Sequence, residues 1–111
     1  MKREFIYTRV FDKYWKELGL EIADLEELEK FIMENPRAGD IIKGTGGAIK
    51  LRFALPNSNR GKSGGVRVIY TDIEHNAHTH LLLCYAKSKQ GDLTADQKKQ
   101  LKSLVETLKG E

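Results

Sequence analysis

The chain has 111 residues, 40% of them hydrophobic, and a formal net charge of +3. This length suits a single domain over residues 1–111, with room for one layer of helices against one sheet. No run approaches the roughly 18 apolar residues of a membrane span, and the start lacks the pattern of a signal peptide. Cys84 is the single cysteine, which excludes an internal disulfide. Together these features predict a cytoplasmic domain that makes no contact with a membrane.

The first third of the chain is predicted to form a strand and two helices. Residues 4–10 are typical of a short strand. Residues 11–18 carry apolar side chains at i, i+3, i+4 and i+7, which predicts a helix. Its core stripe is Phe11, Tyr14, Trp15 and Leu18. A second helix is expected to begin at Asp24 as the N-cap, with Glu27 completing a capping box, and to end before Pro36. Its stripe is Leu25, Leu28, Phe31 and Ile32.

The rest of the chain predicts three strands and a last helix. A strand over 48–54 is followed by a long loop and then by a hairpin of strands 66–73 and 79–86. Thr94, with Gln97 three residues on, is expected to open the last helix. The order β-α-α-β-β-β-α predicts an α+β fold. In it an antiparallel twisted sheet carries the N-terminal helices on one face and is followed by a C-terminal helix.

The basic residues are concentrated in the middle of the chain. Residues 41–71 contain no Asp or Glu and six cations, which are Lys43, Lys50, Arg52, Arg60, Lys62 and Arg67. Since the whole chain carries +3 and this segment +6, the remainder carries −3. Such an asymmetry favours a local site for a polyanion. The alternative is a solvated loop whose basic composition has no function.

Strand alternation brings several of these cations to one face of the sheet. Lys50 and Arg52 point away from the apolar side of their strand, and Tyr85 and Lys87 project together from the last strand. If the three strands are neighbours, Arg67 joins them, and the set can converge on one anionic group such as a phosphate. Clustered cations repel one another without a ligand, so the set favours a functional site over a structural one. Any single one of them could simply make the outer face soluble.

Four blocks of sequence occur in a specific order between Asn35 and Thr94. They are Asn35-Pro36-x-x-Gly39-Asp40-x-Ile42-x-Gly44-Thr45-Gly46-Gly47-x-x-Lys50-x-Arg52, Gly61-Lys62-x-Gly64-Gly65-x-Arg67-Val68-Ile69-Tyr70, Leu82-Leu83-x-Tyr85-x-Lys87 and Asp92-Leu93-Thr94. The ordered set resembles the HigB-like branch of the RelE toxin superfamily, and the coarse topology extends the resemblance to nearly the whole chain.

The resemblance implies a small RelE-like fold and the toxin of a type II toxin–antitoxin module. Such a toxin enters the ribosomal A site and cuts the mRNA there, with no metal and no cofactor. Its implied partners are the ribosome, mRNA and an antitoxin of the helix-turn-helix type, with DNA contacted only through that antitoxin. The residues it selects for catalysis are Lys50, Arg52, Arg67 and Lys87. Those expected to contact RNA or the ribosome are Lys43, Arg60, Lys62, Tyr85 and Lys89.

The implied reaction is attack of a ribose 2′-hydroxyl on the adjacent phosphorus, with release of the 5′-oxygen of the next nucleotide. It needs a base, stabilisation of the charged phosphorane and an acid for the leaving group. Arg67 is the expected stabiliser, because its planar fork suits phosphate oxygens. Lys50 is the candidate base, provided that its cationic neighbours favour its neutral form. Lys87 is the candidate acid, and Arg52 is expected to orient the phosphate.

The chain departs from the HigB-like pattern at two positions. Ile49 stands where a basic residue is common. After Tyr85 the pattern commonly reads Gly-Lys-Asn-Glu, whereas this chain has Ala86-Lys87-Ser88-Lys89. The loss of that acid removes one possible proton-transfer group and leaves the identity of the general acid open.

Three further residue types have both a structural and a functional interpretation. His75, His78 and His80 form an H-x-x-H-x-H cluster, but no nearby Cys or carboxylate set completes a metal site, so a structural role is favoured. Cys84 lies among leucines and is expected to be a buried small hydrophobe. Tyr85 either packs inside or stacks on a nucleotide.

Two other functions compete with the nuclease. A ParE-like toxin of the same superfamily would inhibit DNA gyrase, but ParE-like chains tend to lack the convergent basic set. A non-catalytic RNA-binding domain would use the basic loop only to dock on ribosomal RNA. Toeprinting of translated mRNA distinguishes the three.

Overall fold

The computed structural model describes residues 3–53, 65–87 and 90–110. Its elements, in chain order, are β1 (Glu4–Tyr7), α1 (Arg9–Glu17), α2 (Ile22–Glu34), β2 (Asp40–Ile41), β3 (Ile49–Phe53), β4 (Val66–Ile73), β5 (His78–Ala86) and α3 (Ala95–Gly110). A 3₁₀ turn at Glu74–Asn76 joins β4 to β5. Every predicted helix and strand is present, and the two-residue β2 is additional. The first strand is shorter than predicted, because Thr8 caps α1 and Arg9 and Val10 form its first turn. Among the helices described, none has the length and hydropathy to span a bilayer.

The strands form one open sheet in the order β1-β5-β4-β3-β2. The three central strands β3, β4 and β5 pair antiparallel, as predicted. One correction to the expected antiparallel sheet is needed, because β1 pairs parallel with β5 and makes the sheet mixed. After β1 the backbone N–H of Thr8 donates to the carbonyl of Leu81 at 3.1 Å, which keeps the start of α1 against β5. This pairing joins residues about 70 positions apart, so no local pattern could indicate it.

Helices cover both faces of the sheet. α1 and α2 pack on one face, where Phe11 and Leu28 are fully buried against Val68. α3 packs on the other face through Leu101 and Val105. Burying each such side chain contributes roughly 1.5–3 kcal/mol. The α+β architecture is thus the one predicted.

Two residues of the predicted helix stripes are not core residues. Tyr14 and Phe31 are 39% and 38% exposed, while the other members of their stripes are buried or partly buried. Each is therefore a half-exposed member of its helix's apolar face. Helical spacing identifies a face but does not give its width.

The helix boundaries follow from their caps. The predicted capping box of α3 is confirmed, since Thr94 N–H donates to Gln97 Oε1 at 2.9 Å and Gln97 N–H donates to Thr94 Oγ1 at 3.1 Å. The predicted N-cap of α2 is wrong. The helix begins earlier, with Glu21 as the N-cap, and Asp24 is its third helical residue, whose Oδ2 accepts from the Glu21 N–H at 2.8 Å. Asp24 therefore caps by reaching backwards.

A bulge in β5 determines which of its residues lie on the face of the sheet that α3 covers. Ile69 pairs with Leu83, but the next residue, Tyr70, pairs with Leu81, so Leu82 is extra. Leu81 and Cys84 consequently share the core under α1 and α2, whereas Leu83 and Tyr85 lie in the core under α3. Bulges commonly redirect side chains beside functional sites. Here the bulge turns Tyr85 to the same face as Arg67.

Candidate functional site

Three of the predicted catalytic cations lie together on the α3 side of the sheet. Arg52 pairs directly with Arg67 across β3 and β4, and Arg67 pairs with Tyr85 across β4 and β5. Lys50 occupies the adjacent same-face row, opposite Ile69. Directly opposed residues of antiparallel strands have side chains on one face within about 5 Å at Cβ. The structure therefore brings together Lys50, Arg52 and Arg67, as strand alternation predicts. These three residues form the row of cations.

These cations differ in depth. Arg67 is only 4% exposed, the side chain of Lys50 is 28% exposed, and Arg52 is exposed. A buried guanidinium is costly unless polar or charged groups surround it. Arg67 thus forms the floor of the site with little freedom to move, while Lys50 and Arg52 form its rim. This graded arrangement suits an anion that enters from solvent and meets a rigid donor at the bottom.

Tyr85 packs inside, which is one of the two alternatives expected for it. The residue is 8% exposed, and its hydroxyl is buried with no hydrogen-bond partner among the described residues. Burial raises the pKa of Tyr85, the negative charge of Asp92 raises it further, and the Arg67 guanidinium opposes both. At neutral pH the phenol is therefore protonated and can donate a hydrogen bond within the site. Its role as an RNA contact stays a prediction.

The site also contains an acid that was not among its predicted residues. The Asp92 Oδ1 atom lies 3.7 Å from Lys50 Nζ, and it accepts a hydrogen bond from the Leu93 N–H at 2.8 Å. The Leu93 N–H and the charge of Lys50 hold the pKa of Asp92 below its usual range. Leu93 is buried in the same core as Tyr85, which anchors the segment. The available signal was an acid two residues before the predicted N-cap of α3.

The remaining candidates are placed less closely. Lys87 follows β5 directly and is exposed, and its backbone N–H donates to the carbonyl of Gly65 at 3.3 Å. This puts its backbone at the same end of the sheet as Arg67. Lys43 is exposed in the turn between β2 and β3. The other three predicted contacts lie outside the described residues: Arg60, Lys62 and Lys89.

The glycine-rich turn between β2 and β3 has a structural role. Buried Thr45 donates through Oγ1 to the carbonyl of Ile42 at 2.7 Å and accepts from the Ala48 N–H at 3.1 Å. Gly47 has φ +130°, and a Cβ there would lie 3.0 Å from Lys109 Nζ of α3. The Lys109 ammonium in turn donates to the carbonyl of Gly46. The positive φ of Gly47 favours glycine, and the Lys109 contact joins the turn to α3.

The position before Lys50 belongs to the core. Ile49 is 4% exposed and packs under α1 and α2, on the face opposite Lys50. A basic residue there would have to bury its charge or distort the strand. The departure from the HigB-like pattern at this position therefore strengthens the core without altering the row of cations.

The histidines lie at the far end of β5. The rings of His78 and His80 are 5.9 Å apart, edge to face, and His78 Nε2 is 3.6 Å from Glu4 Oε1. Burial, followed by the charge of His78, lowers the pKa of His80. At about 3.3 Å per residue, His80 is roughly 16 Å along the strand from Tyr85. Within the described residues no group of three or more His, Cys, Asp or Glu is arranged to hold a metal ion.

Cys84 is a buried small hydrophobe, as predicted. It is fully buried, and burial together with the charge of Asp12 raises the pKa of its thiol to about 12. The thiolate that a nucleophile requires is therefore scarce at neutral pH. Cys84 contributes to the core under α1 and α2.

No family model matches the sequence. Several solved structures are similar in fold, among them the following three. The isolated RelE toxin of E. coli matches with a TM-score of 0.54 and 16% identity, over 93% of this chain and 99% of that chain. A double arginine-to-alanine variant of E. coli RelE in the free state matches with a TM-score of 0.52 and 18% identity, over 82% and 90%. RelE in the intact E. coli RelBE toxin–antitoxin complex matches with a TM-score of 0.52 and 18% identity, over 75% and 94%. The chain therefore has the fold of the RelE toxins.

Proposed function

We propose that this chain is the toxin of a type II toxin–antitoxin module and that it cuts mRNA in the ribosomal A site without a metal ion. The observation that carries the proposal is the position of Arg67, buried at the floor of a row of cations on a RelE-like sheet. A buried guanidinium beside the more exposed cations Lys50 and Arg52 suits a phosphate whose negative charge increases during reaction.

The depth and position of each cation support a different catalytic role for each. Arg67 stabilises the equatorial oxygens of the phosphorane, because burial orients its fork before the substrate arrives. Arg52, exposed beside it, orients the scissile phosphate. Lys50 is the candidate base for the 2′-hydroxyl, a role that requires its neutral form once the contact with Asp92 has opened, and Lys87 is the candidate acid for the leaving 5′-oxygen. Lys43, Arg60, Lys62, Tyr85 and Lys89 are proposed to contact RNA or the ribosome.

The proposed partners follow from the same assignment. The E. coli toxin with this fold occurs in a complex with its antitoxin, which supports an antitoxin partner for this chain. We propose that this antitoxin is of the helix-turn-helix type, that DNA is reached only through it, and that the toxin acts in the cytoplasm, where the ribosome and mRNA are. The ParE-like alternative is disfavoured by the convergence of Lys50, Arg52 and Arg67 on one face.

Toeprinting on a translated mRNA tests the function directly. We expect new in-frame cuts within the A-site codon when the purified protein is added to translating ribosomes, and no cuts in the same mRNA without ribosomes. Stalling without cuts would assign the chain to ribosome binding. Neither cuts nor stalling, together with inhibition of gyrase supercoiling, would assign it to the ParE-like function.

The histidine pair is expected to be dispensable for cleavage. His78→Gln and His80→Gln should each change the cleavage rate by less than about twofold. Both residues lie at the end of β5 far from Arg67, where the reacting phosphate is proposed to bind. The measurement is the single-turnover rate on programmed ribosomes. A collapse of the rate in a variant with an unchanged melting temperature would move the active site to the histidines.

A further inference from the structure

The row of cations contains a single acid within ion-pair distance of Lys50 in the described part of the chain. Asp92 Oδ1 lies 3.7 Å from Lys50 Nζ, and the Asp92 side chain is 66% exposed. The carboxylate does not swing freely, because the Leu93 N–H donates to the same oxygen and Leu93 is buried. A negative charge is thus built into the rim of a site that is otherwise positive.

This placement gives Lys50 two alternative anionic partners. A phosphate that reached Lys50 would lie beside the Asp92 carboxylate, and two negative charges at that spacing repel one another. An exposed ion pair at 3.7 Å is weak, so an incoming phosphate can replace the Asp92 carboxylate at Lys50 at small cost. The pair is therefore suited to opening, in contrast to the buried Arg67.

We infer that Asp92 is a built-in competitor of RNA, whose carboxylate holds Lys50 in the free protein and must be displaced by an RNA phosphate before Lys50 engages the substrate. The identification of the anion as an RNA phosphate rests on the proposed function. Asp92 is in these terms a positioning residue that acts through Lys50. Asp92 lowers the affinity of Lys50 for an RNA phosphate and has no effect on the position of Arg67.

The test is the affinity of a single-stranded 2′-O-methyl RNA oligonucleotide, which cannot be cut because its 2′ nucleophile is blocked. Asp92→Asn keeps an oxygen to accept from the Leu93 N–H and removes only the charge. We expect it to bind the oligonucleotide about fivefold more tightly than the wild type in fluorescence anisotropy at low salt, the effect of one unit charge near 4 Å in solvent. Glu106→Gln makes the same change of charge on the exposed side of α3 and should alter binding by less than about twofold.

A double-mutant cycle tests whether Asp92 acts through Lys50. In a Lys50→Met background, Asp92→Asn should improve RNA binding by less than about twofold. The ion pair between Lys50 and Asp92, which RNA has to open in the wild type, is absent from that background. A full gain in that background would overturn the exchange and indicate direct repulsion. Unchanged or weaker binding by Asp92→Asn, or no binding by either protein, would also overturn the inference, since a merely structural role cannot tighten binding.

The inference and the proposed function fail separately. Tighter binding by Asp92→Asn with no cuts by the wild type on ribosomes would remove the nuclease and leave the role of Asp92 in place. Cuts by the wild type with no gain in Asp92→Asn would leave the nuclease and remove the competitor.

Discussion

Arg67→Ala is expected to reduce ribosome-dependent cleavage by roughly 100- to 1000-fold, the usual loss when one fixed donor to a charged transition state is removed. The reason is position: Arg67 is 4% exposed and lies between Arg52 and Tyr85 in a single cross-strand row. A donor held this firmly does not have to reorganise as charge develops on the phosphorane. The measurement is the single-turnover rate of cutting on programmed ribosomes.

Burial makes the choice of controls important for this variant. Arg67→Met retains much of the length and apolar stem of the side chain, and should lose activity to the same degree while staying folded. Arg67→Lys keeps the charge but not the planar fork, and should recover only part of the rate. Arg9→Ala removes an exposed arginine at the start of α1 and should cut normally. Cleavage at the wild-type rate by a folded Arg67→Ala protein would eliminate the proposed mechanism.

Arg3→Ala is expected to lower the free energy of unfolding by up to about 3 kcal/mol, because the buried Asp72 carboxylate loses its nearest cation and keeps only the exposed Arg37. Arg3 Nη1 contacts Asp72 Oδ1, and the side chains are 9% and 3% exposed. Thr79 Oγ1 also donates to that oxygen at 3.4 Å, but a neutral hydroxyl compensates a buried carboxylate poorly. The ion pair connects the segment before β1 to the hairpin of β4 and β5. Urea unfolding followed by circular dichroism measures the loss.

A matched arginine provides the control for this stability prediction. Arg37 Nε lies 3.6 Å from Asp72 Oδ2, but its side chain is 57% exposed. Arg37→Gln should therefore cost less than about 1 kcal/mol, as exposed ion pairs do. Equal losses in Arg3→Ala and Arg37→Gln would show that burial does not set the strength of the Asp72 contacts.

Locally encoded features could be predicted from the sequence. The capping box of α3, the β4–β5 hairpin and the end of α2 before Pro36 depend on neighbouring residues, and all three are present. The predicted N-cap of α2 was wrong for an equally local reason. Asp24 is an acceptable N-cap and also an acceptable third helical residue, and only the position of the preceding backbone distinguishes the two.

The positions of the cations could be predicted from the sequence only in part. Alternation along β3 was sufficient to put Lys50 and Arg52 on one face, because side chains alternate strictly along a regular strand. Whether Tyr85 shares that face depends on the bulge at Leu82, which interrupts the alternation. The burial of Arg67 cannot be read from the alternation along β4, because it depends on how complete elements pack around the residue.

By itself the sequence determined the α+β class, the three helices, four of the five strands and the identity of the cations, since each follows from periodicity and composition over short distances. Only the tertiary structure decided three things: the parallel pairing of β1 with β5, the depth of each cation, and the contact of Asp92 with Lys50. Each of these joins residues that are far apart along the chain. Such contacts are set by how complete elements pack, which no pattern within a short window contains.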